Sequence, residues 1–108
     1  MKLRLDENLP HQMRLELPGH EVYTAAYMNW GGVENGQLLR LAADGGFDAL
    51  ITSGRGMEYE QNLGALPIAV VVVLAKANTI EAIRPLIGDL MAALAGIHPC
   101  QFVKLAAP

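Results

Sequence analysis

The sequence predicts an α/β fold over residues 1–108 as one domain: a mostly parallel central sheet of about five strands, covered by helices in a three-layer α/β/α sandwich. Three observations predict it. Short apolar runs alternate with helical patterns in the order β-α-β-α-β-α-β-α-β, and such alternation calls for crossover helices between parallel strands. Ile68 to Leu74 is an unbroken apolar run with four valines, which suits a central strand covered on both faces. Residues 79–95 place Ile80, Ile83, Leu86, Ile87, Leu90, Met91 and Leu94 on one helical stripe.

The first strand is read over 2–6, with Leu3 and Leu5 apolar. Asn8 and Pro10 then fit a helix N-cap and a first helical turn. A helix over 9–17 follows, with Leu9, Met13 and Leu17 spaced by four, and Pro18-Gly19 stops it. Glu21 to Ala25 is rich in strand formers. Tyr27 to Gly36 is a loop holding the only tryptophan, Trp30, and three glycines. A helix over 35–44 presents Leu38, Leu39, Leu41 and Ala42, and Gly45-Gly46 ends it. Ala49 to Ser53 is the third strand. A glycine-bearing turn leads to a short polar helix over 57–63, and the valine strand comes next. Asn78 with Glu81 resembles a capping box for the longest helix, in which Pro85 either kinks the chain or marks the true start. Gln101 to Leu105 is the last strand, with Phe102 and Val103 as core residues.

Bulk properties narrow the function. The chain is 52% hydrophobic and 18% charged, with net charge −3, so it does not coat nucleic acid by bulk charge; a local basic rim is still allowed. A single cysteine, Cys100, rules out an intrachain disulfide. His11, His20 and His98 share no zinc-ligand spacing. There is no signal-peptide layout and no apolar run long enough to span a bilayer, so the expected location is the cytoplasm, away from membranes.

The topology sorts the charged residues. Groups just after a strand gather at the carboxyl edge of the sheet, where ligands bind in open α/β folds. Asp6, Glu7 and Asn8 follow strand one. Glu34 and Gln37 flank the start of the second helix. Thr52, Ser53, Arg55 and Glu58 follow strand three, and Lys76 follows strand four. Asp44 and Asp48 precede strand three and belong at the opposite edge; Asp89 is a solvated helix residue. Carboxylates gathered at one edge repel unless a cation lies between them, and Mg²⁺ or Mn²⁺ favours such oxygen ligands. Asp6, Glu7 and Glu34 are the candidate metal ligands. Arg55 and Lys76 suit phosphate oxygens, while Asn8 and Thr52 suit ligand orientation. Together they describe metal-assisted phosphodiester hydrolysis.

The succession Leu-Arg-Leu-Asp6-Glu7-Asn8-Leu-Pro, Gly19-His20-Glu21-Val22, Trp30-Gly31-Gly32, Asn35-Gly36-Gln37-Leu-Leu, Leu50-Ile51-Thr52-Ser53-Gly54-Arg55 and Tyr59-Glu60-Gln61-Asn62-Leu63 resembles the small bacterial PIN-like proteins, relatives of the VapC ribonuclease toxins. The resemblance runs over nearly the whole chain. It implies a Mg²⁺- or Mn²⁺-dependent ribonuclease acting on RNA and held by a cognate antitoxin protein; a homodimer is expected from the apolar-rich composition of a small acidic domain. Asp6 matches the first catalytic aspartate. Relatives often read Asn-Gly-Glu where this chain has Asn35-Gly36-Gln37, so Glu34 is the nearest carboxylate for the second role. After strand three, relatives carry Thr-x-Asp followed by a basic residue; here Gly54 stands where that aspartate is expected. A missing charged ligand weakens a loosely held hard cation, so the chain is expected to bind metal weakly and to cleave slowly or not at all.

Two other readings stand beside the impaired ribonuclease. One is a catalytically dead PIN-like module that binds RNA or an antitoxin without cutting. The other is a receiver-like phosphoacceptor domain, but that needs an aspartate at the end of strand three, and Ser53-Gly54 supplies none. Tyr27, Trp30, Met57 and Tyr59 are the apolar residues expected to meet a protein partner.

Overall fold

The computed structural model describes residues 1–6, 8–24, 35–53 and 66–106. Five strands, β1 (Lys2–Leu5), β2 (Glu21–Tyr23), β3 (Ala49–Thr52), β4 (Ala69–Leu74) and β5 (Phe102–Ala106), form one sheet in the order β2-β1-β3-β4-β5. Every pairing is parallel. A 3₁₀ helix η1 (His11–Glu16) and two α-helices, α1 (Asn35–Asp44) and α2 (Ile80–Gly96), make up the described helices. The predicted helix over 57–63 lies outside the described residues.

The two-residue period of the strands divides the core. Leu3, Leu5, Ala49, Ile51, Ala69, Val71 and Val73 meet Met13 and Leu17 around η1 and Ile83, Leu86, Leu90 and Leu94 of α2. The intervening residues Leu50, Val70 and Val72 join Leu39 and Ala42 of α1, together with Phe47, Leu66 and Ile68. β4 is therefore buried on both faces, as its unbroken valines predict. In β5, Phe102 packs against the second group, and Val103 and Leu105 against the first.

The starts of η1 and α2 differ from expectation. Asn8 does not cap the first helix: Pro10 takes the N-cap position, at φ −67° and ψ 139°, with no side-chain cap bond. Met13 N–H instead donates to the Pro10 carbonyl at 3.1 Å, a three-residue closure that gives a 3₁₀ turn where an α-helix over 9–17 was expected. At α2 the cap is Thr79 and not Asn78: its Oγ1 accepts from Ala82 N–H at 3.3 Å. Pro85 lies inside α2, which begins five residues earlier at Ile80, so it does not mark the start. The end of α1 is as read. Gly45 N–H donates to Leu41 O at 2.9 Å, and Gly46 turns the chain at φ +77°, a conformation that favours glycine.

Asp48 sits at the amino edge of the sheet, as predicted, where it has a structural task. Its carboxylate accepts from Lys2 N–H at 2.7 Å, while the Lys2 ammonium donates to Gly45 O at 2.7 Å and lies 4.6 Å from the Phe47 ring centroid.

The same edge carries a pH-sensitive contact. The Met1 ammonium lies 3.2 Å from His20 Nδ1. An ammonium can only donate, so Nδ1 accepts and the ring is neutral with its proton on Nε2. Burial first, and the neighbouring ammonium second, push the His20 pKa below its usual 6.5. The unfolded chain then binds the extra proton more readily than the folded one. Stability from this group is complete above 6.5 and is lost as pH falls through the folded-state value. Chemical denaturation of His20→Gln and the parent chain across that window should show a shallower acid-side loss in the variant.

Candidate active site at the carboxyl edge

Strand order reverses between β1 and β3: the chain leaves β1 for β2 on one side and returns to β3 on the other. At such a reversal the connections diverge, and a crevice opens beyond the carboxyl ends of the two strands. Asp6 stands at that point. Its backbone N–H donates to Ile51 O at 2.9 Å, which extends the β1–β3 ladder one residue past β1. Its carbonyl accepts from Leu9 N–H at 3.1 Å, closing the turn toward η1. The backbone is thus held on both sides, and the side chain is only 9% exposed.

Register then supplies a partner. Leu5 pairs with Ile51, so Asp6 falls beside Thr52. The fully buried Thr52 hydroxyl donates to Asp6 Oδ2 at 2.7 Å. A short hydroxyl bond to a carboxylate fixes its orientation. Asn8 joins the same two strand ends: its Oδ1 accepts from Ser53 N–H at 3.3 Å. Asn8 and Thr52, expected to orient a ligand, thus hold the protein's own groups, Thr52 the carboxylate of Asp6 and Asn8 the backbone after β3.

The other predicted residues divide into two sets. Lys76 is exposed, two residues past the end of β4. Glu7, Glu34, Gly54, Arg55 and Glu58 lie outside the described residues, as do Tyr27, Trp30, Met57 and Tyr59. Gln37 is exposed in the first turn of α1.

One residue at this edge was missed. Arg4 is 1% exposed, in register between Tyr23 of β2 and Leu50 of β3. It reads in the sequence as an interruption of an apolar strand. The available signal was its spacing of two from Asp6, which puts both residues on one face of β1. Its guanidinium Nη1 donates to the Leu5 carbonyl.

The donor chemistry can be set against the hard divalent cation expected from sequence. Mg²⁺ and Mn²⁺ want several oxygen ligands, with carboxylates foremost. Among the described residues, the ends of β1 and β3 offer one carboxylate, Asp6, already engaged by Thr52, with a buried guanidinium on the same face. No group of three or more potential ligands stands together among the described residues. That set does not fit a divalent ion.

Among the described residues, two clefts flank the sheet. One of about 450 Å³ lies between η1 and β2 and is lined by His11, Arg14, Val22, Tyr23 and Thr24; its two basic side chains border the strand next to β1. The other, about 320 Å³, is lined by Met1, Phe47, Asp48, Pro67, His98 and Cys100 among others. All six precede strands β1, β3, β4 or β5, so this cleft belongs to the amino edge, away from Asp6. No described helix is long and apolar enough to cross a membrane. Comparison with protein-family models, with curated proteins and with solved structures gave no match.

Proposed function

We propose that this chain is a PIN-like toxin of a toxin–antitoxin pair: a metal-dependent endoribonuclease fold, in a three-layer α/β/α sandwich, whose acidic site is incomplete. The observation that carries the reading is Asp6, nearly buried at the strand-order reversal and held by the Thr52 hydroxyl at 2.7 Å. An aspartate oriented at the carboxyl end of the first strand is what a phosphodiesterase of this type needs. The sequence resemblance supplies the reaction class, RNA as substrate, Mg²⁺ or Mn²⁺ as cofactor and an antitoxin as partner; the apolar-rich composition supports a homodimer, and the sequence pattern a cytoplasmic location. Gly54, two residues past Thr52, is the position of the missing acid. The chain is weak or inactive as written.

A second reading is favoured by the same edge. A single described carboxylate at the strand ends suits binding better than cleavage, and His11 and Arg14 line a neighbouring cleft able to take RNA phosphates. On this reading the chain is a catalytically dead PIN-like module that engages RNA or an antitoxin. The receiver-like reading is set aside, because Thr52 occupies the strand end where a phosphoacceptor aspartate would stand.

The deciding experiment incubates RNA with Mn²⁺ and either the parent chain or Gly54→Asp. Cleavage by the variant alone supports a ribonuclease with a disabled site. If neither protein cuts any RNA tried while both retain RNA in a filter assay, the binding module stands and the enzyme reading fails.

A further inference from the structure

η1 is a 3₁₀ helix, and with three residues to a turn its side chains stand in three columns. Met13 and Glu16 form the column that turns to the sheet and α2. Met13 is fully buried in the core there, and Glu16 accepts from Arg84 Nε at 3.2 Å. Gln12 and Leu15 form a second column and are exposed. His11 and Arg14 form the third, and both line the cleft of about 450 Å³ between η1 and β2. An α-helix would set these two about 60° apart around its axis, whereas the tighter helix stacks them on one side. The 3₁₀ closure found in place of the expected helix is thus what brings two basic side chains to one cleft.

The rest of the lining selects the ligand. Val22, Tyr23 and Thr24 complete the cleft, and no acid lines it among the described residues. Glu16, the acid on η1, is drawn away to Arg84. The Tyr23 ring stands edge-on to Phe47, 5.5 Å between centroids, in the core group on the face of the sheet opposite η1. The cleft therefore offers cationic donors without an aromatic face on which a base could stack. Guanidinium and imidazole donors suit phosphate oxygens, and contacts to phosphate position a nucleic acid without reading its sequence. The cleft also adjoins the edge that carries Asp6: the Asp6 carbonyl accepts from Leu9 N–H at 3.1 Å in the turn that leads into η1, and β2 ends at that same edge.

We propose that the cleft between η1 and β2 is a subsite for a phosphodiester of single-stranded RNA, held by Arg14 and His11 without regard to base. The inference rests on the reading of this chain as one that engages RNA at its carboxyl edge, and it applies whether or not the chain cuts. Arg14 supplies a permanent charge and a forked donor. His11 supplies a second donor one turn, about 6 Å, away. An acidic peptide would also suit two cations, but the place of the cleft beside Asp6 favours RNA.

The test is fluorescence anisotropy of labelled oligouridylate and oligoadenylate over a salt series. It uses the parent chain, Arg14→Gln, His11→Gln, the double variant, and Arg14→Lys. Both side chains are exposed, so these replacements leave the core untouched. Arg40→Gln is the control: it removes the same charge from an exposed position on α1, which packs on the other face of the sheet. Arg14→Gln is expected to weaken binding of both oligonucleotides by about fivefold to tenfold, His11→Gln by less, and Arg14→Lys to recover part of the loss. The double variant should flatten the dependence of log affinity on log salt by about 0.7, the share of one phosphate on a single strand, while Arg40→Gln leaves it unchanged. Equal losses from Arg14→Gln and Arg40→Gln, a loss confined to one of the two oligonucleotides, or displacement of RNA by polyglutamate at matched ionic strength would each overturn the inference. RNA held equally by the parent and the double variant, with the same salt slope, overturns it and leaves the RNA-engaging reading intact. Absence of RNA binding by the parent chain overturns both.

Discussion

Gly54→Asp is expected to raise Mn²⁺-dependent RNA cleavage by about a hundredfold or more over the parent chain, and Asp6→Asn in that background is expected to abolish the gain. The magnitude comes from charge. On the ribonuclease reading, a carboxylate at position 54 adds both a ligand and a negative charge, and about 3 kcal/mol of added stabilisation is a little over two factors of ten. The effect depends on Asp6 being presented correctly, which the structure ties to one hydroxyl. Thr52→Val in the Gly54→Asp background removes the 2.7 Å bond while nearly keeping side-chain volume. It should lower cleavage about tenfold and cost about 1–2 kcal/mol of stability in urea, the usual range for leaving a buried hydrogen-bonding group without its partner. Equal cleavage by Gly54→Asp and the double variant Gly54→Asp/Thr52→Val would show that the hydroxyl does not orient the reactive carboxylate.

What the sequence discloses about this molecule follows from where the physics is local. β4 is legible because a strand with Val70, Val71, Val72 and Val73 in succession has no polar face to expose, and both its faces are covered. α2 is legible because its apolar residues recur at three and four, and Ile80, Ile83, Leu86, Leu90 and Leu94 are the ones buried. Failures occur where a side chain has two possible partners. Asn8 is an excellent local cap, yet its amide oxygen is taken by Ser53, 45 residues away. That competition is tertiary and leaves no trace at positions 8–10. Asn78 and Thr79 are both good caps, and a one-residue difference in helix start decides between them. Asp6 was identified because it ends a strand at a carboxyl edge, whereas its pairing with Thr52 required the β1–β3 register. Arg4 was overlooked because a lone arginine between leucines reads as an exposed position. Only with β2 and β3 on either side of β1 does that position become an interior one.

Leu90→Ala is expected to lower unfolding free energy by about 3 kcal/mol, within the 2–5 kcal/mol typical of buried leucine truncations. Leu90 has no exposed surface and lies in the larger of the two core groups, where α2 covers β1, β3 and β4. Its removal leaves a void that strands paired on both sides cannot close by shifting. For a domain of this size, each kcal/mol moves the melting temperature by roughly 4–8 °C, so the variant should melt about 12–24 °C below the parent. Total stabilities of about 5–15 kcal/mol make that a large share. Leu15→Ala is the matched control on η1: the same atoms are removed from a side chain that is 71% exposed, and the expected change is within about 0.5 kcal/mol. The comparison tests the packing and not the residue type. A Leu90→Ala melting point within 2 °C of the parent, or a larger loss from Leu15→Ala, would mean that α2 does not cover the sheet with the stripe buried here.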